Sequence, residues 1–269
     1  MDAADDDLCE IVEPPTKRVK AVTHPKSIKL YYPNFQFWRA EAIRAGLYLQ
    51  GIEFENITDK DALADAKLNK APFGGLPILE IELEEGTTKI LSQTQACVNY
   101  IGKLGDKDGK RHLYPPDDQP LVQANCDEIL NGCTDVTVSI VSTFGLPKEE
   151  VKQKREDLLN VESGKLYKLL KGLNSVCCQD GSELACGNLN KGKLTVADLS
   201  VWKLVAWFSG GFLDHIPKDF VMTQFENLMK IYNNVEYDAE IVEYKKKFYP
   251  DKVEPDENGD SKKPGKTID

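Results

Sequence analysis

Three short segments carry residue types able to do chemistry. The first is Gly74-Gly75-Leu76-Pro77, which opens the apolar run Leu76 to Ile81. Proline has no N–H to give a strand ladder, so its place at a strand's first residue carries meaning. With a cis bond at Leu76-Pro77, the N–H and C=O of Leu76 turn outward and can pair antiparallel with an extended peptide ligand. Only about 5–6% of X-Pro bonds are cis, so an ordinary trans proline at a strand start is the competing reading. The two glycines favour the ligand, because a loop without Cβ atoms lets another backbone approach closely.

The second segment is Ser92-Gln93-Thr94-Gln95, where a strand ends and a helix begins. Unpaired N–H groups and the positive end of a helix attract a carboxylate. Gln93 and Thr94 can add hydrogen bonds to an α-amino-acid group. A plain side-chain cap from Ser92 or Thr94 explains the same residues and is compatible with binding. The third segment is Tyr31-Tyr32, ahead of PNFQFWRAE. A tyrosine there is either packing or a hydroxyl that donates to a thiolate; favouring the anion by one pKa unit is worth about 1.4 kcal/mol. No Cys lies between 10 and 96 and no Ser between 28 and 91, so cysteine or serine chemistry at that turn is excluded. Tyrosine remains.

These segments need a scaffold, and the periodicity supplies one. SIKLYY reads as a strand, and FWRAEAIRAGLYLQ as an amphipathic helix with Trp38, Ala42, Ala45 and Leu49 near one face. GIEFENI is a second strand and DKDALADAKLNK a polar helix. LPILEIEL, the turn EEG and TTKILS form a hairpin, and TQACVNYIGKL a further helix. This βαβ-ββα order predicts an α/β thioredoxin-like N-terminal domain over residues 27–105. A Gly/Pro/charge-rich linker follows over 106–118. Beyond it the long periodic segments, 119–144, 149–172, 195–208 and 222–247, are helical, so an all-α C-terminal domain is expected over 119–250. Residues 1–26 and 251–269 are polar and poor in large apolar groups, which predicts disordered tails. The TKRVK patch in the first tail reads as a solvated segment ahead of a nuclear-import signal.

Composition narrows the classes. Across 269 residues the hydrophobic share is 41% and the charged share 29%, ordinary for a soluble globular chain. The formal charge of −10 argues against a nucleic-acid partner. No apolar run reaches the ~18 residues of a membrane span, and MDAADDDLCE is no secretory signal. A cytoplasmic protein without a membrane partner is expected. Seven cysteines without CxxC spacing and three scattered histidines predict reduced, structural thiols and no metal site. Vicinal thiols such as Cys177-Cys178 are more often inert than reactive, and the sequence leaves their reactivity to labelling with iodoacetamide.

Taken in order, these motifs resemble the cytosolic glutathione S-transferase family, most closely its sigma-like class. PFGGLPILE is similar to the family's Pro-Phe-Gly-x-Leu-Pro-x-Leu-Glu, and SQTQACVNYI to its x-Gln-Ser-x-Ala-Ile-x-x-Tyr-Ile. RAEAIR is similar to Arg-Ala-Glu-x-Ile-Arg, HLYPPDD to the Leu-Tyr-Pro linker, and KLTVADLSVW to Leu-Thr-x-Ala-Asp. The last predicts a capping box with Thr195 as cap and Asp198 answering it. The resemblance spans roughly residues 28 to 250.

The resemblance implies a dimeric enzyme using glutathione as co-substrate, with no other cofactor, and joining it to small hydrophobic electrophiles. It places the catalytic tyrosine on Tyr32, with Tyr31 as runner-up. Leu76 would hold the cysteinyl backbone, Gln93 and Thr94 the γ-glutamyl end, and Lys67 or Lys70 the glycyl carboxylate. Trp38, Arg39, Gly75 and Pro77 complete the implied glutathione-binding set. Three departures stand out. PNFQFW replaces the family's Gly-Arg-Gly and predicts a remodelled mouth, Thr94 replaces a serine, and a tryptophan expected near Ala64 is missing. The acid that reaches a partner subunit's ligand would fall near Asn131, flanked by Asp127 and Asp135. A glutathione-dependent isomerase or peroxidase of the same fold, and a non-enzymatic binding protein that keeps it, are the alternatives.

Overall fold

Alternation along the first strand sets the layers. In the computed structural model, which describes residues 24–108, 111–190 and 192–250, β1 (Ser27–Tyr31) turns Ile28 and Leu30 to one face and Tyr31 to the other. Ile28 and Leu30 join Leu79 and Ile81 of β3 (Ile78–Glu82) in the main core, under α1 (Trp38–Leu49) and α3 (Thr94–Leu104). Tyr31 and Ile78 face Leu63 and Ala66, from α2 (Lys60–Asp65) and the π-helical turn Ala66–Lys70 that continues it. With β2 (Glu55–Ile57) and β4 (Thr88–Ser92), the sheet has the order β2-β1-β3-β4. β1 runs parallel to β2 and antiparallel to β3, which pairs antiparallel with β4. Helices on both faces of this small mixed sheet give the expected thioredoxin-like arrangement.

The helical part comprises α4 (Pro120–Val141), α5 (Lys148–Leu159), α6 (Lys165–Val176), α7 (Val196–Ser209), α8 (Phe220–Gln224), α9 (Glu226–Glu236) and α10 (Ala239–Phe248). α7 is buried along most of its length and packs on α1, α4 and α9, so one continuous apolar core joins both halves. Its start is the expected capping box: Asp198 accepts from the Thr195 N–H at 2.8 Å and the Thr195 hydroxyl at 2.6 Å. The linker threads between the halves at Gly102, where a Cβ would meet Val196 Cγ1 at 3.0 Å and Tyr114 Cβ at 3.1 Å. Leu113 donates to Gly102 O there and accepts from Val196 N–H.

Two expected helices are each divided. Segment 149–172 breaks between α5 and α6, because Asn160 Oδ1 accepts from the N–H groups of Glu162 and Ser163 and closes a turn. Segment 222–247 becomes α8, α9 and α10. Asp238 caps α10 through bonds from Glu240 N–H at 3.0 Å and Ile241 N–H at 3.1 Å. The second strand is also shorter than GIEFENI, since only Glu55–Ile57 lie opposite β1. The tails 1–23 and 251–269, with TKRVK and Cys9, lie outside the described residues.

Candidate functional site

Sheet register brings the three chemical segments together. Ile78 is paired with Tyr31 on one side and with Ser92 on the other. One residue beyond each pairing stand Tyr32, Pro77 and Gln93, all at the same end of the sheet. Leu76-Pro77 is cis. Pro77 is buried and Leu76 half-buried, behind the exposed Gly74 and Gly75, with Gly74 at φ +62°.

Gln93 is the N-cap residue of α3 and sits at φ 73°, ψ 122°, a region that costs a non-glycine residue about 1–3 kcal/mol. Its side chain is exposed and makes no capping bond. Neither the Ser92 nor the buried Thr94 hydroxyl takes over as cap among the described residues, so the start of α3 keeps N–H groups without a side-chain acceptor. The backbone is held in a strained conformation at the residue that opens the helix.

The adjacent tyrosines point to opposite faces and have different company. Tyr31 donates its hydroxyl to Glu80 Oε2 at 3.0 Å and accepts from Lys70 Nζ at 2.8 Å. Lys70 also meets Glu80 Oε2 at 2.6 Å, which closes a three-membered network. That network holds the Lys70 ammonium well above its ordinary pKa and the Glu80 carboxyl below its own. Tyr32, on the other face, is half-buried against the main core. No side chain among the described residues hydrogen-bonds its hydroxyl. Burial raises its pKa, opposed by the positive charges of Arg39 and Arg44, so the phenol stays protonated and able to donate.

The remaining expected residues divide. Arg39 is half-buried beside Tyr32, and Lys67 is exposed on the π-helical turn. Trp38 is fully buried and donates its only polar atom, Nε1, to Thr137 Oγ1 of α4 at 2.8 Å, so it has no atom to offer a ligand and serves to join the two halves. Lys70 is committed to Glu80 and Tyr31.

The departing loop builds an aromatic wall. Phe35 stacks on Phe37 with centroids 5.9 Å apart and meets Phe212 edge-on at 5.8 Å. Phe37 packs on Trp207 of α7 at 4.8 Å. Phe212 and Phe35 both keep exposed apolar faces, three residues after Tyr32 in the case of Phe35.

Residues 134–248 match the family model described as glutathione S-transferase, C-terminal domain. A relative from Schistosoma japonicum, the class-mu 28 kDa glutathione S-transferase isozyme, is 28% identical over 213 residues, covering 76% of this chain and 88% of its own. The chain has the glutathione S-transferase fold, and its C-terminal half matches that family's model. Its fold is shared with solved structures, among them a Fasciola hepatica sigma class enzyme at 19% identity and TM-score 0.62, covering 82% of this chain and 96% of that one. A prostaglandin synthase D of Nilaparvata lugens aligns at 22% identity and TM-score 0.61, covering 82% and 98%.

The second half is tied to the first by polar contacts. Asp127 of α4 accepts from Tyr114 Oη at 2.8 Å and Asn99 Nδ2 at 2.9 Å, while Asn131 lies 3.5 Å from Gln95 Nε2. The six described cysteines are buried and free. Burial pushes the Cys97 and Cys178 thiols up to about 12, so neither is a nucleophile at neutral pH. Among the described residues no group of three His, Cys, Asp or Glu side chains is placed to hold a metal ion.

Sequence reasoning missed two residues beside this site. Arg44, fully buried in α1, donates to the carbonyls of Tyr32, Pro33 and Phe35. Glu41, equally buried, pairs with it at 3.2 Å. The signal was a Glu and an Arg at i,i+3 on an otherwise apolar helix, visible in RAEAIR and read there only as a motif.

Proposed function

We propose that this transferase binds reduced glutathione across the end of the sheet and conjugates it to small hydrophobic electrophiles. The observation that carries the reading is the convergence of a protonated, unpartnered Tyr32 hydroxyl, the outward edge of Leu76 and the open start of α3. Leu76 N–H and C=O pair with the cysteinyl backbone. Gln93, Thr94 and the α3 N–H groups take the γ-glutamyl carboxylate. Gly75 and Pro77 shape the loop that lets the peptide approach. Lys67, free of the network that occupies Lys70, takes the glycyl carboxylate, and Arg39 adds positive charge beside the sulfur.

The thiol loses its proton to solvent, and Tyr32 donates a hydrogen bond to the sulfur, favouring the anion. The thiolate then attacks an electron-poor carbon, a C–S bond forms, and the leaving group departs with its electron pair. Phe35 and Phe212 provide an apolar surface for that electrophile. A sigma-like class assignment and a cytoplasmic setting accord with the motifs. Leu68 is 83% exposed and Phe73 71% exposed, two large apolar side chains close in sequence that a second copy of the chain covers in a homodimer.

The test is direct. Glutathione bound to the protein is titrated by its ultraviolet thiolate absorbance, and turnover is measured with a nitroaromatic halide beside a prostaglandin endoperoxide and an organic peroxide. A lowered thiol pKa with conjugation supports the reading. Ionisation with isomerisation or peroxide reduction alone moves the assignment to the alternative enzymes, and binding without ionisation or turnover moves it to a binding protein.

A further inference from the structure

The polar network behind Tyr32 extends further than the site requires. Arg44 places all five of its N–H groups. Nε bonds Asn56 Oδ1 at 3.1 Å, Nη1 bonds Phe35 O and Glu41 Oε2, and Nη2 bonds Tyr32 O and Pro33 O. Glu41 is held in turn from the far end of the chain. Tyr244 of α10 donates to Oε1 at 2.6 Å and Tyr249 donates to Oε2 at 2.9 Å. Glu41, Arg44 and Tyr244 are fully buried and Tyr249 nearly so.

Burying a carboxylate and a guanidinium costs several kcal/mol per ion, and apolar packing often stabilises as well. A pair retained at that cost therefore does more than fill space. What Arg44 touches shows its use. Its three carbonyl partners lie in a loop without regular structure that carries the Tyr32 hydroxyl at one end and the Phe35 wall at the other. Leu76 and Gln93, which are proposed to hold the glutathione backbone and its γ-glutamyl end, sit on other elements and are not among the network's hydrogen-bond partners.

We infer that Glu41, Tyr244 and Tyr249 are positioning residues which, by holding Arg44, fix the Tyr32–Phe35 loop, so that the C-terminal helix governs how well the thiolate is stabilised without governing glutathione affinity. Burial keeps both phenols protonated, as donors to Glu41 must be. The inference rests on the transferase reading of Tyr32.

Tyr244→Phe, Tyr249→Phe and the double variant test it in the full chain, each retaining the ring and removing a hydroxyl. Bound-glutathione thiol titration, kcat with a nitroaromatic halide, and KM for glutathione are measured on protein checked by circular dichroism. The expected result for the double variant is a thiol pKa higher by about one unit and a kcat about tenfold lower, with KM for glutathione changed less than about twofold. The single variants fall between and keep the test open if the double variant does not fold. Wild-type titration in folded variants overturns the inference alone, as does a parallel loss of glutathione binding without a pKa change, the mark of a merely structural role. A wild-type protein whose bound thiol titrates like free glutathione overturns the transferase reading and this inference with it.

Discussion

Replacing Tyr32 by Phe removes one hydroxyl and leaves the ring in its packing place. The structure sets the size of the effect. No other side-chain hydroxyl stands at that turn, since Tyr31 is bonded to Glu80 and Lys70 on the opposite face of the sheet. A hydrogen bond to a charged group is worth about 1.5–3 kcal/mol. At about 1.4 kcal/mol per pKa unit, the bound thiol should titrate about one to two units higher in Tyr32→Phe. Conjugation at neutral pH should slow by about 10- to 150-fold, with glutathione affinity nearly intact because Leu76 and Gln93 are untouched. Thiolate absorbance across a pH series, paired with initial rates on a nitroaromatic halide, reads both quantities. Tyr31→Phe is the internal control. It should lose about 1 kcal/mol of stability with its two hydrogen bonds and keep its rate. Wild-type turnover in Tyr32→Phe, or the large loss appearing in Tyr31→Phe instead, would falsify the assignment.

Three further outcomes are expected. Asp198→Ala strips the acceptor from the buried N–H groups of Ala185 and Thr195 and from the Thr195 hydroxyl; after allowing for release of a carboxylate that burial disfavours, a loss of about 3 kcal/mol is expected, seen as a Tm lower by about 6–12 °C in a thermal melt. Phe73→Glu places a charge on the exposed apolar loop and should shift the protein from dimer to monomer in sedimentation analysis; an unchanged dimer places the interface elsewhere. Glu80 has a lowered pKa in the fold, so its contribution is present above its unfolded value near ~4.3 and is lost as pH falls through the folded value. Glu80→Gln should therefore show a shallower decline in stability in that acid window, measured by urea unfolding at stepped pH.

The two halves of the site differ in how far a sequence can reveal them. The binding half rests on local rules. A proline at a strand start, glycines before it and a polar strand-to-helix junction each constrain a few neighbouring residues, and pairing through Ile78 then sets them side by side. What could not be read locally was that the junction keeps its N–H groups open: Ser92 and Thr94 are good capping residues, yet Gln93 takes the cap position at positive φ. The difference between Tyr31 and Tyr32 likewise depended on partners far along the chain, Glu80 and Lys70 for the Tyr31 hydroxyl and no hydrogen-bonding side chain among the described residues for that of Tyr32. Trp38 shows the opposite error. The resemblance implied a ligand contact, while its place, at the first turn of a helix packed against the second half, gave its indole to Thr137. The divided helices had legible punctuation at Asn160 and Asp238, which the continuous hydrophobic periodicity outweighed.

The mouth of the site was opaque for a different reason. A Gly-Arg-Gly turn can follow backbone preference, whereas PNFQFW carries large side chains on a loop with more conformations to lose. Ordering the residues from Pro33 to Gln36 costs about 1–2 kcal/mol each in backbone entropy. Phe37 and the half-exposed Phe35 recover part of this by packing, but apolar contacts do not direct where a carbonyl or a hydroxyl points. Arg44 does, because a planar guanidinium donates its N–H bonds in a fixed fork that only narrowly placed oxygens can meet. Such a donor works only if it is itself immobile, which explains the buried Glu41 and the two phenols that close on it from residues 244 and 249. An aromatic loop at the mouth and a charge pair beneath it are thus one solution: the loop supplies the wall, and the pair supplies the alignment.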